Sequence, residues 1–443
     1  MAKVAEPPSG TRDFLADGVR RRKAAFDRVS TVFEHYGFDP LETPAFERLE
    51  VFAGKLGDEA SALIFKILKR GVHAASGEAD LALRYDHTVP LARVVGTYGS
   101  RLPSPYKRYA IGNVWRADRA AKGRFREFAQ CDIDTVGSAS PLADAEIIWA
   151  VHEGLDALGV AEFQFLVNSR QALHGLLEAY GIAPELGTKV LGSLDKLDKA
   201  TPDAVTAELV DRGLSTDTAE GLVADVTAPD TDRIRKQLDT TETGRLGLAE
   251  VERLMSLTDG LPAGRVVFTP RMVRGLDYYT GPIFEVTATG YPGSIASGGR
   301  YDGLVAKLGG PDLPASGGSI GIERILATQE AERTVGSNLD VALTVLGAEQ
   351  DIMRLAGALR ARGLRTGVYL GSSSKLAKQL AWANDQHARL ALIYGTDEQA
   401  ANEITMRDME SGEQTPVPFV DTPDVVRARL AGHRSTPPTD GGQ

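Results

Sequence analysis

The sequence predicts an α+β protein: an antiparallel sheet flanked by helices, broken by a helical insertion and followed by a separate α/β domain. Three observations predict it. Strand-like alternation is strongest at 106–136 and returns at 265–290. Between them, residues 168–255 change to short helical segments rich in Ala, Leu, Asp and Thr, with little aromatic content. In the last hundred residues, strands alternate with helices of roughly 12–15 residues, the pattern of a small, mostly parallel α/β unit. At 443 residues, two or three domains are expected.

Taken in order, Asp17 opens a helix in which Phe26, Val29, Phe33 and Tyr36 recur at spacings of three and four, and Gly37 closes it. The next run, FDPLETPAFE, is extended and broken by Pro40 and Pro44. From Ile64 to Val136 the pattern is one of strands and loops. After the insertion come the strand text of 265–290, two glycine-rich turns, and a helix from Ile322 to about Thr334. The last unit reads strand (LDVALTVLG), helix (DIMRLAGALRARG), strand (LRTGVYLG), helix (SKLAKQLAWANDQHA), strand (ARLALIYG), then a hairpin across SGE and a final helix (DVVRARLAG).

Composition excludes several functions. One cysteine, Cys131, rules out an intrachain disulfide and a cysteine metal cluster, and none of the seven histidines forms HxxxH or HxH. No metal site is expected. No signal-like segment opens the chain and no apolar run reaches the roughly 18 residues of a membrane span, so a cytoplasmic protein is expected. The net charge of −10 argues against a wholly basic nucleic-acid surface, yet residues 106–126 carry a net +6 and residues 363–389 a net +3. Such local patches bind polyphosphates.

Side chains on a strand alternate between faces. In FREFAQCDIDTV, Ala129, Cys131, Ile133 and Thr135 suit a buried underside, which leaves Gln130, Asp132 and Asp134 together on the other face. Three polar groups on one face of a central strand are costly to bury without partners, and are expected where a polar ligand lies on the sheet. The strand before it places Arg108, Ala110, Gly112, Val114 and Arg116 on one face, and its loop adds Arg119, Lys122 and Arg124. Such a hairpin can hold an anion beside an ammonium. A second constellation, VRGLDYYTGPIFEV, sets Arg274 near Asp277, Tyr278 and Tyr279. The turns SGGRYDGL and SGGSIGIERI lack GxGxxG spacing, so their glycines are read as letting a backbone pass beneath a flat base, with Arg324 stacking on it or reaching a phosphate.

Together these segments resemble the signature motifs of class II aminoacyl-tRNA synthetases: helix 17–36 with Pro44, Arg116 with the hairpin through Asp134, and GIER at 321–324. PSGTRDF, LRYDHTVPLAR, RFREFAQCDID, the RGLDYY segment and SGGRYDGL resemble the histidyl-tRNA synthetase family. SLDKLDK at 193–199 resembles the branch shared with eukaryotic enzymes. The resemblance implies a catalytic core in two parts (1–167 and 256–335), a helical insertion (168–255), an anticodon-binding α/β domain (338–432) and a disordered tail (433–443).

Carried over residue by residue, it implies that Asp86, Thr88 and Gln130 hold the α-ammonium of histidine, while Asp134 and Tyr279 receive the imidazole nitrogens with Tyr278 alongside. Arg116 would bind the substrate carboxylate and α-phosphate, Arg324 would clamp ATP, and Arg274 would stabilise α-phosphate charge. Several family members have glutamate where Asp86 and Asp134 stand here. The implied partners are L-histidine, ATP with Mg2+ as a substrate rather than a resident cofactor, tRNA(His) and a second copy in a homodimer. Arg119, Lys122, Arg124, Lys375 and Lys378 are candidate tRNA contacts. The alternative is a catalytically silent paralogue serving as a regulatory subunit of ATP phosphoribosyltransferase. Such paralogues typically lack the anticodon domain and parts of the RGLDYY constellation.

Overall fold

The computed structural model describes residues 5–52, 61–121, 123–228, 230–273, 278–329 and 339–432. The expectations for Lys122, Arg274, Asp277, the end of the 322–334 helix and the tail 433–443 lie outside the described residues. The chain divides into two units, Met1–Glu330 and Ala331–Gln443.

In the first unit the opening helix runs Ala16–His35 and buries Ala25, Val29 and Phe33, which its four-residue spacing puts on one stripe. In chain order the strands are β1 (Asp39–Pro40), β2 (Phe46–Arg48), β3 (Lys66–Leu68), β4 (Ala79–Leu83), β5 (Tyr106–Trp115) and β6 (Glu127–Val136). They continue with β7 (Phe163–Ser169), β8 (Val266–Phe268), β9 (Pro282–Ala288), β10 (Ala296–Arg300) and β11 (Ala315–Ile320). Eight of them form one sheet in the order β1-β5-β6-β11-β10-β9-β7-β8, and β2-β4-β3 form a small second sheet. The large sheet is antiparallel from β5 to β7 and parallel only at its two edges.

The underside of β6 carries Ala129, Cys131 and Ile133, all fully buried with Phe33, Ile147 and Val151 in the main core. Each such large apolar side chain contributes about 1.5–3 kcal/mol on burial. Ile147 and Val151 come from a helix, Pro141–Ala157, whose start is a Ser-Pro pair: the Ser140 hydroxyl accepts from Leu142 N and Pro141 needs no partner. The 64–136 stretch departs from the expected strands and loops. Thr88–Tyr98 is a helix, begun by Asp86 Oδ1 accepting from Val89 N at 3.1 Å, with Pro90 tolerated in the first turn. The insertion is helical from Arg170 to Leu257, and its Leu173, Val251 and Leu254 join the core that holds Phe165 of β7.

In the second unit, β12 (Val341–Leu343) lies between β13 (Thr366–Val368) and β14 (Leu390–Ile393), parallel to both. The sheet is less parallel than expected, because the hairpin β15 (Glu403–Asp408) and β16 (Gln414–Pro418) joins β14 antiparallel. Helices Glu349–Ala361 and Thr422–Gly432 contribute Ile352, Leu355 and Val426 to the core of this unit. No helix among the described residues is long and apolar enough to cross a membrane.

One buried ion pair ties helix Pro141–Ala157 to the sheet: Arg300, at the end of β10, donates to Asp144 Oδ2 from Nη2 at 2.6 Å and Nε at 3.2 Å. Both side chains are under 10% exposed. Asp144→Ala would leave the buried guanidinium, among the described residues, only Asp302, 3.3 Å from Nη1, and the Ser138 and Ser140 carbonyls, so a loss toward the lower end of the range for a broken buried pair, about 3 kcal/mol, is expected. A denaturant midpoint equal to that of the unaltered protein would show that the pair adds nothing.

Candidate active site

The upper face of the large sheet carries the polar residues its sequence alternation exposes. Across β5 and β6, Arg108 faces Asp134, Ala110 faces Asp132, and Gly112 faces Gln130. On the other side of β6, Gly317 faces Asp134 and Ser319 faces Asp132. A side chain on Gly317 would put its Cβ 2.0 Å from Asp134 Oδ1, so the glycine gives the carboxylate its room. The glycines expected beneath a flat base are therefore divided. Gly298, Gly317 and Gly318 floor one cavity, while Gly321 belongs to a second.

The first cavity, about 270 Å³, gathers Asp86, Thr88, Gln130, Asp134, Tyr278 and Tyr279, with Arg116 at its edge. Asp86 arrives from the start of the Thr88–Tyr98 helix and the two tyrosines from the segment before β9. Asp86 Oδ2, Gln130 Oε1 and Asp132 Oδ1 are buried acceptors without a hydrogen-bond partner among the described residues. The other end of the Gln130 amide is fixed, Nε2 donating to Ser319 Oγ at 3.0 Å. Orphaned buried acceptors converging on one space call for a ligand rich in donors.

Asp134 is held differently. The Tyr301 hydroxyl donates to its Oδ1, and Arg108, fully buried, sets Nη2 2.7 Å from Oδ2 while donating from the same nitrogen to His87 O at 3.0 Å. The Arg108 contact is thus an ion pair without hydrogen-bond alignment. Burial pushes both Asp86 and Asp134 up to about 6, against the pull of Arg116 on the first and Arg108 on the second. Burial and the neighbouring Arg108 and Arg84 push His87 down to about 3, so it stays neutral, with Nε2 3.1 Å from Gly112 O.

The second cavity, about 480 Å³, shares a wall with the first: Arg116, Gln130, Glu285, Ser297 and Ser319 line both. The Arg116 guanidinium lies 4.3 Å from the Tyr85 ring and 5.3 Å from that of Phe128, and its Nε donates to Tyr85 O at 3.1 Å. Arg324 stands on the first turn of helix Ile322–Thr328, with Nη1 directed to Ser294 O. Its neighbour Glu323 is buried and pinned by Arg12 at 2.6 Å and Arg22 at 2.7 Å. Arg12 also lies 3.4 Å over Phe125, which lines this cavity, so the N-terminal segment braces the loop between β5 and β6. Gly10, at φ +83°, accepts from Arg126 N in that brace.

The structure thus brings Asp86, Thr88, Arg116, Gln130, Asp134, Tyr278 and Tyr279 together, and sets Arg324 in the adjoining cavity. Arg124, grouped by sequence with tRNA contacts, lines the second cavity and pairs with Asp118 at 2.6 Å. Arg119 is exposed, and so are Lys375 and Lys378 at the start of helix Leu376–Asp385 in the second unit. Tyr301, Glu285, Ser297, Ser319 and Lys199 join the cavities without having been singled out. For Tyr301 a signal existed: it ends the SGGRY run, one residue past β10.

Residues 10–325 match the histidyl-tRNA synthetase family, and residues 340–429 match an anticodon-binding domain. The chain belongs to the histidyl-tRNA synthetase family. It is 39% identical to a histidine–tRNA ligase of Gloeobacter violaceus, over 95% of this chain and 98% of that one. With a histidine–tRNA ligase of Aeropyrum pernix it shares 38% identity over 96% and 98%. The crystal structure of histidyl-tRNA synthetase from Nostoc sp. PCC 7120 superposes with a TM-score of 0.77 at 28% identity, covering 97% of this chain and all of that one. The regulatory-subunit alternative is not favoured, because the anticodon-binding domain is present.

The raised carboxyls give a proton linkage. A carboxyl lifted to about 6 from an ordinary value near 3.9 stabilises the unliganded fold below pH ~4, and that contribution is lost as pH rises through 6. A ligand ammonium placed beside Asp86 would favour the ionised form, so if histidine binds there its binding near pH 6 releases protons from this carboxyl. Calorimetry in buffers of different ionisation enthalpy is expected to show a smaller release for Asp86→Asn. Equal release in both proteins would remove Asp86 from the ammonium site.

Proposed function

We propose that the first cavity holds histidine and the second ATP, and that histidine–tRNA ligation proceeds across their shared wall. The observation that carries this reading is the convergence of unpartnered acceptors, Asp86 Oδ2 and Gln130 Oε1, beside a second cavity lined by Arg116 and Arg324. The α-ammonium meets Asp86, Thr88 and Gln130. The imidazole lies toward Asp134 and Tyr279, with Tyr278 behind them. The carboxylate then faces Arg116 at the seam.

In the first half-reaction a histidine carboxylate oxygen attacks the α-phosphorus of ATP, which enters with Mg2+ on its phosphates. The new O–P bond forms the adenylate, and the bond to the bridging oxygen breaks to release pyrophosphate. In the second, a ribose hydroxyl at the tRNA 3′ end attacks the acyl carbon, loses its proton, and displaces AMP. Neither step needs a protein nucleophile; positioning and stabilisation of phosphate charge supply the catalysis.

Asp134 enters this scheme already oriented. With Tyr301 on one oxygen and Arg108 on the other, it is fixed as an acceptor for a ring N–H. A binding site built on such groups rejects a side chain lacking the matching donors, because they would be left buried and unpaired. We further assign tRNA contacts to Arg119, Lys122, Arg124, Lys375 and Lys378, anticodon reading to the second unit, and homodimer contacts to helix 17–36 with the Pro44 segment. The unit boundaries proposed for the core and insertion remain those given above.

ATP–pyrophosphate exchange tests the reading: among the twenty amino acids histidine alone should support it, and exchange shared by several would overturn it. For Arg274, proposed to neutralise charge developing on the α-phosphate, alanine should lower kcat for adenylate formation by about 100- to 1,000-fold. Histidine binding should change far less, and Arg274→Lys should not restore the planar contact. Adenylate formation at the unaltered rate in Arg274→Ala would exclude it from the chemistry.

A further inference from the structure

The helical insertion reaches the second cavity through one of the described residues. Among the residues lining it is Lys199, the last of the SLDKLDK segment, which stands with Arg116, Arg124 and Arg324. The other charges of that wall are largely committed. Arg124 is paired with Asp118, and Glu323 is pinned between Arg12 and Arg22.

The two lysines of the segment differ in the same way. Lys196 sits in the 3-10 turn Asp195–Asp198 and contacts both oxygens of Glu208 at 2.8 Å, which locks it inside the insertion. Lys199 follows that turn with φ −131° and ψ −14°, leaving the helical course. Its backbone N donates to Lys196 O at 2.8 Å, so the position of its backbone is set by the turn. Its side chain is exposed and makes no ion pair among the described residues.

We propose that Lys199 is a substrate-binding residue for the polyphosphate of ATP, donated to the catalytic core by the insertion. This rests on the assignment of the second cavity to ATP. The β- and γ-phosphates lie beyond the α-phosphate that Arg116 and Arg274 are assigned to, and a lysine on a flexible stem suits phosphates whose position shifts as pyrophosphate departs. The insertion then does more than flank the core: it supplies a cation to the nucleotide site, so activation depends on where that lysine sits.

The experiment is pyrophosphate exchange without tRNA, using the full chain. Lys199→Ala should raise KM for ATP roughly tenfold, the size of one charge-assisted contact, and leave KM for histidine unchanged. Lys199→Arg should restore most of the loss. Titration calorimetry with a non-hydrolysable ATP analogue reads the same contact without turnover, so it tests Lys199 even if histidine-dependent exchange itself fails. Unchanged ATP affinity in Lys199→Ala overturns the proposal. If affinity is unchanged and only tRNA charging suffers, the lysine belongs to the acceptor end of the tRNA instead.

Discussion

The desolvation of carboxylates on β6 is the constraint on which the rest of the site depends. Asp132 and Asp134 are each no more than 3% exposed, and Asp86 joins them from the neighbouring helix start at 3%. Buried acids so close together are held only because the sheet positions countercharges as accurately as it positions the acids. Arg108 does this from β5, directly across the ladder from Asp134, and Arg116 does it from the end of the same strand. The underside of β6 must then be rigid. Ala129, Cys131 and Ile133 are packed without exposure against two helices, so the strand cannot shift to relieve the charges above.

How much of this was legible follows from the range of the interactions. The two faces of β6 are a local property, and period-two alternation places Gln130, Asp132 and Asp134 together without further information. Helix 16–35 has the same legibility, since its buried stripe repeats within one element. Tyr301 and Arg108 are different. Their partner Asp134 is 167 residues before the first and 26 after the second, and only the strand order brings all three into contact. The Thr88–Tyr98 helix escapes the local pattern because its start depends on a side-chain acceptor, Asp86, and its Pro90 resembles a breaker. The glycine-rich turns illustrate a third case. Their lack of side chains is visible in sequence, but what fills the space at Gly317 is a carboxylate from the adjacent strand.

The division of charge explains why two cavities share a wall instead of forming one. A zwitterion such as a free amino acid presents opposite charges a few bonds apart, so a site for it must change sign over that distance. Here the change occurs at Arg116 and Gln130, which line both spaces. On one side lie the acceptors Asp86 and Asp134; on the other stand Arg124 and Arg324, with the carboxylates Asp118 and Glu323 there paired to arginines. Uncompensated cations in the acid pocket would pair with its carboxylates and close it. Arg108 avoids this by lying beneath the surface with no exposure, where it offsets Asp134 without occupying the ligand space.

The same arrangement links specificity to catalysis. Because Asp86 Oδ2 and Gln130 Oε1 have no hydrogen-bond partner among the described residues, a bound ammonium would gain favourable interactions there. Under the proposed reading, that gain would hold the carboxylate at the seam, where attack on the α-phosphorus needs alignment more than bond polarisation. A ligand without the matching donors would leave buried acceptors unsatisfied and would also be poorly placed for attack. Discrimination would therefore appear in the rate of adenylate formation as well as in affinity, through the same carboxylates. The bracing of Phe125 by Arg12, and of Glu323 by Arg12 and Arg22, extends this logic to the nucleotide side. It ties the loop between β5 and β6 to the helix bearing Arg324, so a nucleotide in the second cavity would be received by groups already fixed in relation to one another.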